Sequence, residues 1–336
     1  MDIGIIGAGA IGGLLAARLH HAGENVSIVA RGPHLAAIRA HGLALRENDG
    51  TTIIAPVAAS DRIGDLGPQD LVILAVKAHQ LGAIAADLPA ICHADTMVLT
   101  AQNGMPWWYF QKHGGPLEGH RLESVDPGGL IAAQLPLARL VGCVVYPAAE
   151  IMAPGVIRHI ENNRFSLAEI DNSSTPRIKA LSDIFQKAGF KAPVVSDIRA
   201  EIWTKLWGNL SFNPVSALTH ATLEGICADP PGRALVASMM AEAQAIGEAL
   251  GIRFRMAIDR RIANAAAVGA HKTSMLQDIE AGRAIEADAL LGSVIELGRL
   301  VEIATPHLDA VFALVKLLAK TLGAQHARLM PHPLAT

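Results

Sequence analysis

The chain has 336 residues, of which 51% are hydrophobic and 18% charged, with a formal net charge of −3. That is ample apolar material for two cores, with no basic block to hold nucleic acid or a membrane surface. No apolar run reaches the length of a membrane span, and Cys92, Cys143 and Cys227 are scattered.

The three thiols therefore read as reduced, in a cytoplasmic protein whose first strand follows Met1 with no leader. The fourteen histidines show no HExxH-type spacing, so no metal site is expected.

Residues 2–6 read as a short buried strand. Gly7-Ala8-Gly9-Ala10-Ile11-Gly12 follows at once, then a helical run from Gly13 to Ala22 and a second strand over Val26–Ala30. Strand, G-x-G-x-x-G, helix and strand in about thirty residues is the context of a dinucleotide-binding fingerprint. Gly7 makes the tight turn, Gly9 lets the backbone approach a pyrophosphate, and Gly12 lets the helix pack on the strand. The helix N-terminus then offers free N–H groups to the phosphates. After the second strand comes Arg31, with no Asp or Glu. A carboxylate would repel a 2′-phosphate and Arg31 can pair with one, which favours NADP(H) over NAD.

Strand-like runs recur at Leu71–Val76 and Thr96–Thr100, followed by Lys77 and by Gln102-Asn103-Gly104. In a doubly wound sheet that edge holds ligands, so Lys77 and Asn103 are candidates for contacts to cofactor and substrate. Asn-Gly is equally ordinary turn chemistry. Met105-Pro-Trp107-Trp108-Tyr109-Phe110 either walls a substrate pocket or anchors a loop on the core. The Gly- and Pro-rich stretch 113–136 reads as irregular. Strands at Leu140–Tyr146, Gly155–Ile160 and Arg164–Ala168 are expected to close the sheet. A helix over Thr175–Ala188 and a short strand at Ala192–Val195 end a domain at residue 196.

From 197 to 336 the periodicity is helical: 199–218, Ala234–Leu250, Met256–Val268, Lys272–Glu280, Glu286–Val301 and Pro306–Leu322. Gly323 reads as a helix stop, with fraying beyond it to Thr336. The expected fold is thus α/β, a Rossmann-type doubly wound sheet in 1–196 followed by an all-helical domain in 197–336. The helix over 199–218 places Lys205, Asn209 and Asn213 at i, i+4 and i+8 on one face, beside an apolar stripe of Ile202, Leu206 and Leu210. Pro214 is expected to end or kink it and leave Ser216 near a bend. The plain alternative for Lys205 is a surface salt bridge to Glu201, four residues before it.

Taken in order, Gly7–Gly12, Val76-Lys77-Ala78, Gln102-Asn103-Gly104, Arg199–Lys205, Asn209, Asn213-Pro214 and Ser216-Ala217-Leu218 resemble the motifs of the ketopantoate reductases. So do Ser274-Met275-Leu276-Gln277-Asp278, Gly282-Arg283 and Glu286-Ala287-Asp288. The resemblance implies reduction of 2-dehydropantoate to pantoate by NADPH, for pantothenate and coenzyme A synthesis. It also implies that Lys205 is the general acid, and that Glu286 binds the substrate hydroxyl and holds the lysine. Asn209 and Asn213 would orient the substrate and Ser274 would contact its carboxylate. Lys77 and Asn103 would line the cofactor side, and Arg31 would meet the 2′-phosphate.

His271-Lys272-Thr273, Leu291 before Gly292, and the aromatic quartet depart from that pattern, and leave a different 2-keto acid as the alternative substrate. Two further readings are a 3-hydroxyacid or 6-phosphogluconate type of dehydrogenase and a non-catalytic NADPH sensor. The expected partner is a small 2-keto acid, and the apolar helical faces could also pair two copies into a homodimer.

Overall fold

The computed structural model describes residues 1–331 and divides into two compact units, Met1–Glu201 and a second beginning at Ile202. The first unit runs β1 (Asp2–Ile6), α1 (Ala10–His21), β2 (Asn25–Val29), α2 (Gly32–His41), β3 (Leu43–Arg46), β4 (Thr52–Ala55) and β5 (Ala58–Ser60). It continues with β6 (Gln69–Leu74), α3 (Ala78–Ile84), β7 (Cys92–Thr100), β8 (Leu140–Val145), β9 (Ala148–Ala153), β10 (Val156–Glu161), β11 (Phe165–Glu169) and α4 (Pro176–Lys187).

Seven strands form one sheet in the order β11-β8-β7-β6-β1-β2-β5. All its pairings are parallel except β11 against β8. The central strands are near-continuous apolar runs, because a parallel sheet is covered on both faces; Ile3, Ile5, Ile28, Leu71, Ile73 and Leu99 are all fully buried. From β1 the chain winds to β2 and β5 on one side and then returns to β6 on the other. The β1–β6 boundary is therefore the topological switch point at which such folds bind ligands.

Two expectations about this unit are corrected. The stretch 155–160 does not close the main sheet. As β10 it joins a separate four-stranded sheet, β4-β3-β10-β9, which packs against α1. The strands β3 and β4 are only four residues each, too short for their periodicity to stand out. Their hairpin signal is Asp49-Gly50, where Gly50 takes φ 88° and its N–H bonds Glu47 O at 3.1 Å. The stretch 192–195 makes one isolated bridge, Val194 with Leu167, and no strand.

The second sheet is tied to α1 by an ion cluster. Arg18 Nε and Nη2 each donate to a Glu47 oxygen at 2.7 Å, and His159 Nδ1 lies 2.9 Å from Oε2. Burial opposes ionisation of Glu47, but Arg18 and His159 outweigh it and hold the carboxyl below its ordinary value of 4.5. A depressed carboxylate contributes stability above its unfolded pKa and loses it as pH falls through the lower folded value. Glu47→Gln should therefore cost about 2–4 kcal/mol near neutral pH, from the stranding of a largely buried arginine. The loss should shrink below about pH 4, as urea unfolding at several pH values would read.

The second unit is helical: α5 (Ile198–Thr219), which begins in the first unit, α6 (Leu223–Ala228), α7 (Pro230–Ala249), α8 (Ile258–Ala266), α9 (Ser274–Glu280), α10 (Ser293–Leu300) and α11 (Pro306–Ala324). Residues Asp288–Gly292, before α10, are π-helical. Among the described residues no strand follows β11, and no helix is long and apolar enough to cross a membrane.

Pro214 does not end α5, which continues to Thr219. A proline removes one intrahelical hydrogen bond, and here the turn beyond it is held by burial of Val215, Ser216 and Ala217. Ser216 accordingly lies inside the helix, not at a bend, and its hydroxyl donates to Ala221 O at 2.7 Å. Helix α11 passes Gly323 by one residue, and the left-handed residue beyond it is His326, φ 48°. The rest of the fraying expected over 323–336 lies partly outside the described residues.

Candidate active site

Four candidate positions fall on one edge of the parallel sheet, because each follows the C-terminal end of a strand. The glycine loop follows β1, Arg31 follows β2, Lys77 follows β6 and Asn103 follows β7, strands adjacent in the order β7-β6-β1-β2. Gly7 turns with φ 108°, and a Cβ there would lie 2.9 Å from the Val76 side chain. A Cβ on Gly12 would overlap the Gly7 carbonyl oxygen, so only glycine lets α1 start this close to β1. Gly9 is the N-cap of α1 with no side-chain cap, and a Cβ on it would meet open space. A glycine N-cap brings no side chain to bond the N–H groups of the first turn, and the surface at Gly9 is open. Ala8 pins the loop to β2 through its N–H, 3.0 Å from Val29 O. A dinucleotide pyrophosphate fits this loop for those reasons.

Arg31 is exposed and is the N-cap of α2, which Gly32 (φ 55°) and Pro33 begin. The helix went unread in the sequence, although proline at its start and Gly42 (φ 76°) after its end are the usual punctuation. His34, in the first turn of α2, is a further residue of this edge that sequence reasoning missed. Its Nδ1 accepts from the Gly155 N–H at 2.9 Å, which leaves the ring proton on Nε2. Burial lowers its pKa and outweighs the Ala8 backbone, which raises it. Lys77, half-buried, is the N-cap of α3, and its N–H bonds Gln80 Oε1 at 3.1 Å. Asn103 is half-buried before Gly104, φ 89°.

In the helical unit, Lys205 and Asn209 are half-buried on α5 and Asn213 is 6% exposed. Asn213 Nδ2 donates to Ser274 Oγ at 3.4 Å, so two candidates far apart in sequence meet. Thr273 and Ser274 divide the work at the start of α9. The Thr273 hydroxyl caps the helix by accepting from Leu276 N–H, and Ser274 turns to Asn213. Past α9, Gly282 (φ 67°) and the Arg283 Nε–Asp278 Oδ1 pair at 2.8 Å close the turn that leads to half-buried Glu286. Glu286 lies just ahead of the π-helical residues, a distortion often found at functional sites. Glu201 is engaged by Tyr146, Arg164 and Ser166, whose donors lie 2.7–2.9 Å from Oε1.

The departures lie largely in the core. Trp107, Trp108, Tyr109 and Phe110 are at most 4% exposed, and Leu291 is fully buried. Buried Arg199 holds the quartet by donating to the carbonyls of Tyr109, Gln111 and Ile170 at 2.8–2.9 Å, and burial pulls its pKa down. Half-buried His271 uses its carbonyl to accept from Leu223 N–H at 3.0 Å. Among the described residues no His, Cys, Asp and Glu group could hold a metal ion.

Two family models match the chain: "Ketopantoate reductase PanE/ApbA" over residues 3–107 and its C-terminal counterpart over 197–319. The chain belongs to the ketopantoate reductase family. A relative from Mesorhizobium japonicum, a 2-dehydropantoate 2-reductase, is 56% identical over 96% of this chain and 99% of its own length. A crystallised candidate ketopantoate reductase from Ralstonia solanacearum MolK2 superposes with a TM-score of 0.91 at 43% identity, covering 96% of this chain and 98% of its own. A PanE/ApbA family ketopantoate reductase from Ralstonia eutropha JMP134 gives 0.83 at 26% identity, over 96% of this chain and all of its own. The glycine loop, Arg31, Lys77 and Asn103 fall inside the first ketopantoate reductase match, and Lys205, Asn209, Asn213, Ser274 and Glu286 inside the second.

Proposed function

We propose that this protein reduces 2-dehydropantoate (ketopantoate) to pantoate with NADPH, as a step toward pantothenate and coenzyme A. The 56% identity to a 2-dehydropantoate 2-reductase, over nearly the whole of both chains, carries this reading. Residues Gly7, Ala8, Gly9, Ala10, Ile11 and Gly12 hold the cofactor pyrophosphate, Arg31 pairs with the 2′-phosphate, and Lys77 and Asn103 line the cofactor side. The bound nicotinamide supplies hydride to the keto carbon. As negative charge builds on the keto oxygen, the Lys205 ammonium stabilises it and delivers a proton. A lysine is already protonated at neutral pH, which suits an acid in the reducing direction. Glu286 receives the substrate hydroxyl and holds Lys205, while Asn209, Asn213 and Ser274 orient the substrate.

Pure protein with ketopantoate and NADPH should yield pantoate, identified by mass spectrometry; ketopantoate recovered unchanged would defeat the reading. Arg31→Asp should lower the preference for NADPH over NADH by about 10–1,000-fold, because a phosphate loses a charged partner and meets a carboxylate. Comparison of kcat/KM for the two cofactors reads this, and an unchanged preference would assign the phosphate to another residue.

A further inference from the structure

One contact of the second sheet has no part in the proposed reaction. Pro154 and Gly155 form the turn between β9 and β10, and the Gly155 N–H donates to His34 Nδ1 at 2.9 Å. The Gly155 carbonyl accepts from the Ala44 N–H of β3 at 2.9 Å, so the turn is also fixed to its own sheet. Gly155 has φ 77°, and a Cβ there would lie 3.0 Å from Ala37 Cβ. A side chain at this position would be strained and crowded, and glycine lets the turn close on α2.

What this contact braces is the start of α2. The helix begins at Gly32, φ 55°. Glycine is permissive, so the local backbone does little to fix the direction of Arg31 just before it. Arg31 caps the helix without a side-chain bond, and its carbonyl makes a long first-turn bond, 3.3 Å, to the Leu35 N–H. The later turns are better held. Leu35 and Ile38 are buried, and Arg39 Nε donates to Ala59 O at 2.9 Å. His34 supplies a hold in the first turn. It follows Arg31 by three residues, close to one helical turn, so both belong to the same end of α2. Its ring also meets the backbone of Ala8 in the glycine loop. One imidazole thus ties the second sheet to two of the proposed cofactor contacts, the glycine loop and the helix capped by Arg31.

We propose that His34 is a positioning residue for cofactor choice: braced on the β9–β10 turn, it holds the start of α2 so that Arg31 meets a 2′-phosphate. The second sheet then has a task, as the fixed point from which this edge of the cofactor site is aligned. The inference rests on the proposed pairing of Arg31 with NADPH and goes beyond it by naming what aims Arg31.

The test is fluorescence titration of the full-length protein with NADPH and with NADH, no keto acid being present, to give the ratio of the two Kd values. His34→Ala removes the acceptor and should lower the preference for NADPH about 3–10-fold, the effect of one hydrogen bond with its donor left unpaired. NADH affinity should fall by no more than about twofold, because NADH has no 2′-phosphate for Arg31 to meet. His34→Asn keeps an acceptor at the place of Nδ1 and should restore the preference to within about twofold of the wild type. Gly155→Ala should copy His34→Ala, since its methyl group drives the turn off α2. A purely structural role gives a different pattern. A lowered Tm with equal losses for both cofactors, or with an unchanged ratio in His34→Ala and Gly155→Ala, would overturn the proposal. A His34→Asn protein no better than His34→Ala would overturn it as well. An unchanged ratio in Arg31→Asp would instead overturn the pairing of Arg31 with the phosphate, on which the proposal rests.

Discussion

Lys205→Ala is expected to cut kcat for ketopantoate reduction by about 100–10,000-fold, the usual range for removal of a positioned acid. NADPH affinity should change by no more than about twofold, because the ammonium acts on charge that exists only as hydride arrives. Its place on α5 supports that split. Lys205 is half-buried on the face it shares with Asn209 and Asn213, while Ile202, Trp203, Leu206 and Trp207 fix the helix in the core. Truncation to alanine leaves those anchors intact and preserves helix propensity. Stopped-flow NADPH binding beside steady-state rates would check it. Equal losses in turnover and cofactor binding would remove Lys205 from the chemistry.

A pair of glycine substitutions should show the second-largest effect, with opposite signatures in stability. Gly12→Ala puts a methyl group into the Gly7 carbonyl oxygen. Neither atom belongs to a flexible side chain, so α1 must move off β1. NADPH affinity should fall by more than about 100-fold, and stability by about 2–4 kcal/mol, the scale of overpacking with backbone strain. Gly9→Ala has φ −67° and open space around the new methyl. It should keep stability within about 0.5 kcal/mol yet weaken NADPH about tenfold or more, because the backbone no longer approaches the pyrophosphate closely. Calorimetric unfolding and fluorescence titration of both variants would decide. A Gly9→Ala protein with wild-type affinity would show that the phosphates do not approach this loop.

Much of this was readable in the sequence because the signals were local. The glycine loop sits between a strand and a helix, and the i, i+4, i+8 row on α5 needs only the helical period. The Asn213–Ser274 contact spans sixty-one residues, and no spacing rule reaches that far; only the family resemblance grouped the two. The second sheet was missed because β3 and β4 are four residues each, the lower limit at which alternation becomes visible. Pro214 misled through a sound local rule. A proline destabilises a helix interior, but burial of Val215, Ser216 and Ala217 outweighs it, an instance of tertiary packing overriding propensity. The aromatic quartet drew notice as scarce residues in a cluster, and its burial around Arg199 makes it a core anchor.

The most direct test of the central claim is the initial rate of NADPH oxidation by pure protein with ketopantoate, beside other branched and unbranched 2-keto acids. The account predicts that kcat/KM for ketopantoate exceeds the others by about tenfold or more, the margin expected where a site hydrogen-bonds a hydroxyl that competitors lack. Faster turnover of a keto acid without that hydroxyl would contradict the assignment of Glu286 and the choice of substrate together.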